Sequence, residues 1–211
     1  MSATARAIAM YRPGVFAIDE PAVLRDVMRR RVLATIAATV RGRIAFAYAP
    51  LVADEGGVRF HLARANPLAA LEDGARISVS MVAADAYVSP DWYRTTVTVP
   101  TWNYIAVEAE GPVSRLSAEN LRTLVLELSA QEEAKLAPKP PWLIDKVPEA
   151  RVDALLTGIV GFAMSFERLE GKFKLSQDKS PEDIAGVIEA LEARGDAASL
   201  AVAKEMRKVR Q

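Results

Sequence analysis

Two hydrophobic periods alternate along this chain, and the switches between them predict its elements. Asp19-Glu20-Pro21 reads as a helix start, a capping carboxylate with proline in the first turn. Val23, Leu24, Val27 and Met28 follow at helical spacing and end in Arg29-Arg30-Arg31. From Val32 to Ala49 the pattern is β-rich, in two stretches separated by Arg41-Gly42. Asp54-Glu55-Gly56-Gly57 signals a turn, and Val58 to Leu62 reads as a third strand paired with the second. Asn66-Pro67 opens a short helix that Gly74 closes. Between Arg76 and Ala83, Ile77, Val79 and Met81 alternate with polar residues, as in a half-buried strand. Tyr104 to Ser114 is a long strand. Ser117 then caps an amphipathic helix with Leu121, Leu124, Val125 and Leu128 on one face. Pro138, Pro140 and Pro141 make a stiff connector, Ile159 to Arg168 is a final strand, and Ser180-Pro181-Glu182-Asp183 caps a terminal helix that Gly195 interrupts. Six strands in antiparallel succession, without βαβ alternation, predict a mainly β fold with peripheral helices (α+β), closed or nearly closed so that few edges are exposed.

Composition narrows the function. The 211 residues are 51% hydrophobic, enough for a substantial core. Lysine plus arginine equals aspartate plus glutamate, 27 each, so the basic excess of a dedicated DNA-binding domain is missing. The absence of cysteine excludes disulfides, thiolate nucleophiles and zinc-thiolate sites, and no metal site is assigned. No apolar run is long enough to cross a bilayer, and Met1 to Ala9 lacks a signal-type apolar core. A cytoplasmic protein without membrane contact is the expectation.

Four stretches interrupt the ordinary patterning. In His61-Leu62-Ala63-Arg64-Ala65-Asn66-Pro67 a strand ends and a helix begins, so outward N–H groups beside a guanidinium suit a phosphate. Equally, Asn66 is only an N-cap and Arg64 a surface charge. Asp85 to Tyr93 interleaves aromatic rings with Ser89 and other hydrogen-bonding groups, a surface for a flat heteroaromatic ligand or a loop packed on its own rings. It belongs to an irregular stretch, Ala84 to Asn103, whose length suits a functional loop. In Val99-Pro100-Thr101-Trp102-Asn103-Tyr104, Trp102 can stack on a ring or cap the core, while Asn103 offers a donor and an acceptor. In Arg168 to Gln177, extended spacing puts Lys172, Lys174 and Ser176 on one face, a place for an anion or a solvated basic edge.

Together and in this order, these stretches resemble the PaiB family of FMN-binding negative transcriptional regulators. The carrying residues are Met10-Tyr11-Arg12-Pro13, HLARANP at His61 to Pro67, AYVSPDWY at Ala86 to Tyr93, VPTWNY at Val99 to Tyr104, GIVGF at Gly158 to Phe162 and RLEGKFKLSQ at Arg168 to Gln177. The resemblance implies a six-stranded antiparallel split β-barrel related to the pyridoxamine-phosphate-oxidase group. It implies a homodimer with FMN at the subunit interface, and the cofactor contacts His61, Arg64, Ala65, Asn66, Ser89, Trp102, Asn103, Lys174 and Gln177. Family members begin near Met10, which makes 1–9 an extension, 10–178 the FMN-binding domain and 179–211 a helical segment. Tyr48 stands where the family commonly has histidine, and Asp178 where asparagine is usual.

Two functions compete. The family name implies a negative regulator or flavin sensor, although zero net charge and the lack of a helix-turn-helix signature argue against direct operator binding. The alternative is an FMN-dependent oxidoreductase in which the cofactor carries the redox chemistry; no catalytic residue is assigned. A hydrolase is the poorest choice, with one histidine and no Gly-x-Ser-x-Gly elbow.

Overall fold

The structure, a computed structural model, describes residues 9–95 and 97–209. The expected extension therefore lies, up to residue 8, outside the described residues. The chain divides into two compact units, one of residues up to 24, 82–108 and 170 onward, the other of 25–81 and 109–169. Strands β1 (Ala17–Ile18), β2 (Leu33–Val40), β3 (Arg43–Ala53), β4 (Gly57–Ala63), β5 (Arg76–Val88), β6 (Thr101–Arg115), β7 (Ile159–Ser165) and β8 (Arg168–Lys174) form an eight-stranded sheet. Their order is β1-β8-β6-β5-β2-β3-β4-β7, with β7 also paired to β6. Among the described residues five α-helices accompany it: α1 (Pro21–Arg30), α2 (Ala118–Ala134), α3 (Glu149–Leu156), α4 (Pro181–Arg194) and α5 (Ala197–Val209). No helix among the described residues is long and apolar enough to cross a membrane.

The second unit is built on alternation. Ile36 of β2, Leu51 of β3, Phe60 of β4 and Phe162 and Met164 of β7 are all fully buried, each on the inward parity of its strand. Phe60 and Phe162 stack with centroids 5.5 Å apart. Leu124 and Leu128 of α2 pack with Val32, Val52 and Leu116 in a smaller cluster, which is why that helix is amphipathic. Close strand approach requires glycine at two places: a Cβ on Gly57 would sit 2.0 Å from the Met164 carbonyl oxygen, and one on Gly111 1.8 Å from that of Ser165.

The first unit pairs β1 with β8 and packs α4 against α5 through buried Val187, Ile188, Leu191, Val202, Ala203 and Met206. Asp183 is wholly buried near the start of α4. Its Oδ1 accepts from the backbone N–H groups of Arg94 and Thr95, each at 2.7 Å, and its Oδ2 from the Thr95 hydroxyl at 3.1 Å. Gly195, at φ 69°, ends α4 in the left-handed conformation that glycine adopts without cost.

Three expectations change. The sheet has eight strands rather than six, because β1 is only two residues long and β8 lay hidden in the lysine-rich motif. The irregular stretch from Ala84 to Asn103 shrinks, since β5 continues to Val88 and β6 starts at Thr101. Ser176 does not share the face of Lys172 and Lys174: the strand ends at Lys174, and Ser176, at φ 66°, turns into the interior.

Candidate functional site

Strand β4 carries His61 in register with Gly161 of β7 and ends at Ala63. Arg64 and Ala65 form the exposed turn that follows. Asn66 starts a 3-10 turn over Pro67–Ala70, its side-chain oxygen accepting from the Leu68 N–H at 2.9 Å. The backbone N–H of Arg64 donates to the Gly158 carbonyl at 2.8 Å. Its guanidinium donates from Nε to the Thr157 carbonyl at 2.8 Å and from one terminal nitrogen to the Ile159 carbonyl at 3.2 Å. These acceptors are neutral, so they orient the guanidinium without cancelling its charge, and its remaining N–H groups stay available. Arg64 borders a cavity of about 690 Å³ whose other walls come from the end of β6, α2, α3 and β7.

Burial pushes the His61 pKa below its ordinary value, which favours the neutral imidazole. Its Nδ1 is buried and has no hydrogen-bond partner. An orphaned imidazole nitrogen next to a phosphate-type turn is the sort of polar atom that a bound ligand satisfies.

The other expected contacts belong to the first unit. Trp102 is 49% exposed, its ring meets Tyr87 edge-on at 5.3 Å, and its indole N–H donates to Asp85 at 3.3 Å. Lys174 donates to the Thr101 hydroxyl at 2.8 Å and the Trp102 carbonyl at 2.7 Å. Burial lowers its pKa, with Asp178 pulling the other way. Lys172 sits over the rings of Tyr11 and Tyr104, 5.0 and 5.4 Å from their centroids. Asn103 is wholly buried and donates to the Ser176 hydroxyl at 2.9 Å and to the Met206 sulfur at 3.4 Å. Gln177 folds back, accepting from the Leu175 N–H and donating to the Phe173 carbonyl. Ser89 caps the 3-10 turn Pro90–Trp92 by accepting from the Asp91 N–H. Thus His61, Arg64, Ala65 and Asn66 cluster in one unit, and Trp102 and Lys174 in the other, while the side chains of Asn103 and Gln177 bond internally. Sequence reasoning missed Arg115, which borders the same cavity as Arg64; at the end of a long strand it carried no motif to mark it.

Solved structures with this fold define the class. The chain is similar to the FAD and heme binding protein from Mycobacterium smegmatis, at 19% identity and TM-score 0.55 over 80% of this chain and 78% of that one. It is also similar to the flavocytochrome Anf3 from Azotobacter vinelandii, at 16% identity and TM-score 0.56 over 81% and 75%. The chain thus shares its fold with these two solved structures. Residues 10–168 match the family described as "Putative FMN-binding domain", and the chain belongs to that family. A curated relative is Protease synthase and sporulation protein PAI 2 from Bacillus subtilis (strain 168), 30% identical over 192 residues that cover 87% of this chain and 89% of the relative.

Proposed function

We propose that this protein binds FMN as a cytoplasmic homodimer and serves as a PaiB-like negative regulator or flavin sensor. The observation that carries the flavin reading is Arg64: a guanidinium fixed by two backbone carbonyls, without a carboxylate partner among the described residues, at a strand-to-turn step capped by Asn66. That arrangement suits the phosphate of FMN, which carries close to two negative charges at neutral pH and accepts bidentate bonds. The unpaired His61 Nδ1 fits a ligand at the same turn. Exposed Trp102, held by Tyr87 and Asp85, offers a ring face for a flat heterocycle. Bound FMN would supply one- and two-electron chemistry, while the chain's residues bind and orient it.

The dimer reading rests on β3. Ile44, Phe46 and Tyr48 share one face of that strand and are 71%, 61% and 73% exposed, beside exposed Leu33 of β2. A row of large apolar side chains on a sheet face suits a self-complementary contact with a second copy. Regulation without direct operator contact agrees with the balanced charge, 27 basic and 27 acidic residues.

The test is spectroscopic. Protein purified with FMN is yellow and resists bleaching by reduced nicotinamide if it is a sensor, whereas bleaching makes it an FMN-dependent oxidoreductase. Arg64→Ala weakens FMN binding, followed by quenching of flavin fluorescence, with the fold intact by circular dichroism. Unchanged affinity refutes the role of Arg64, and a wild type that takes up no flavin refutes the whole reading.

A further inference from the structure

A second arginine lines the cavity that Arg64 borders. Three arginines line it, Arg64, Arg115 and Arg122, together with Glu119 and Asp153. Arg122 is neutralised, bonded to Glu149 at 2.8 Å and to Asp153 at 3.3 Å. Arg115 is not. Its Nε donates to the Leu71 carbonyl at 3.1 Å and a terminal nitrogen to the Ala69 carbonyl at 2.6 Å. Its guanidinium carbon also lies 5.6 Å from the centroid of the Phe162 ring. Arg115 is therefore held as Arg64 is, by carbonyl oxygens along one edge, with its charge uncancelled by any carboxylate among the described residues.

We infer that Arg115 and Arg64 form a two-guanidinium cradle for a phosphate monoester, the phosphate of the flavin itself; this rests on the flavin reading above. Charge count selects the ligand class. A carboxylate brings one negative charge and two acceptor oxygens, whereas a phosphate monoester approaches two charges and brings three oxygens. Two preorganised forks with N–H groups to donate match the second description. Preorganisation matters because carbonyls that already orient each fork lower the side-chain entropy lost on binding. The anchoring also links the two arginines locally. Arg115 grips the carbonyls of Ala69 and Leu71, at the end of the 3-10 turn that Asn66 caps two residues after Arg64. Glu119, in the first turn of α2 and exposed, is the cavity's acidic group outside the Arg122 pairs, and it opposes an anion there.

The test compares FMN with riboflavin, which lacks the phosphate, on the full-length protein. Arg115→Gln and Arg64→Gln each weaken FMN by about tenfold to a hundredfold, the range for a lost charge-assisted hydrogen bond, and leave riboflavin affinity unchanged. Arg115→Lys, which keeps the charge but not the fork, falls between Arg115→Gln and wild type. If the ratio of FMN to riboflavin affinity falls in Arg64→Gln but not in Arg115→Gln, the flavin reading stands and the second cation is overturned. Wild type that binds neither flavin overturns both. Because Arg115 also braces the turn, Arg115→Gln can lose the fold. In that case Glu119→Gln decides: it tightens FMN by about twofold to threefold, in a way that salt suppresses, with riboflavin unchanged. An unaltered ratio in that variant removes the phosphate from this cavity and overturns the proposal.

Discussion

Asp183 offers the sharpest test of how the first unit holds together. Its carboxylate is wholly buried and receives two backbone N–H groups at 2.7 Å and the Thr95 hydroxyl at 3.1 Å. It thereby clamps the segment after Tyr93 to the start of α4. Asp183→Ala removes these three acceptor contacts at once. A hydrogen bond to a charged group is worth about 1.5–3 kcal/mol, but Arg94 and Thr95 are exposed enough for water to recover part of the loss, so about 4 kcal/mol is expected. For a chain of this size that lowers the melting temperature by about 8–16 °C. Asp183→Asn keeps an oxygen for the two N–H groups and loses only the charge and the cleanest bond to Thr95. It should cost about 1.5 kcal/mol, or about 5 °C. Both variants and wild type are compared by scanning calorimetry at neutral pH. Asp183→Ala melting within about 2 °C of wild type would refute the clamp, and so would Asp183→Asn matching Asp183→Ala, since acceptor geometry would then count for nothing.

Other expectations follow from exposure and titration. Phe46→Glu puts a charge in the exposed row on β3. If that ring buries about 120 Å² in the dimer, its loss removes about 3 kcal/mol per protomer, and sedimentation at micromolar concentration shows monomer; a variant that stays dimeric rules this face out. Trp102→Ala weakens FMN and riboflavin alike, by about fivefold to tenfold for a lost stacking partner, and a selective effect on FMN would contradict a ring contact. For His61 the folded pKa lies below the unfolded value of about 6.5, so within that window the unfolded chain binds the proton and the folded chain does not. Its contribution to stability is full above the unfolded pKa and is lost as the pH falls through that window. Melting curves at pH 7.5 and 5.5 should therefore show wild type losing more on acidification than His61→Gln.

Much of the fold was legible because strand parity is simple. Ile77, Val79 and Met81 alternate in the sequence and are buried as the alternation demands. The same parity could have settled Asn103. It lies two residues before Ile105 and four before Val107, all inward on β6, whereas Trp102 lies on the outward parity. Asn103, which the resemblance implies as a cofactor contact, is buried and donates to Ser176 and Met206. Parity fails where the backbone leaves the strand. Ser176 adopts φ 66°, a conformation uncommon for a residue with a Cβ, and no period in the lysine-rich motif announces it. β1 was equally invisible, since two residues carry no period at all.

The site was legible in its local half only. HLARANP announces a strand end, a guanidinium and a cap within one short run, and the structure delivers all three as a contiguous turn. What a local motif cannot carry is the rest of the charge environment. Arg64 draws its orientation from carbonyls at the end of α3 and the start of β7, and Arg115 arrives at the same cavity from the far end of β6. Arg122 sits on that cavity too, yet Glu149 and Asp153 cancel it. The motif marks Arg64, but nothing in the sequence separates Arg115 from Arg122. In the structure the three differ in whether each partner is a carbonyl dipole, which aims a charge, or a carboxylate, which neutralises it; the proposed anion site needs the first kind, whereas Arg122 braces two helices.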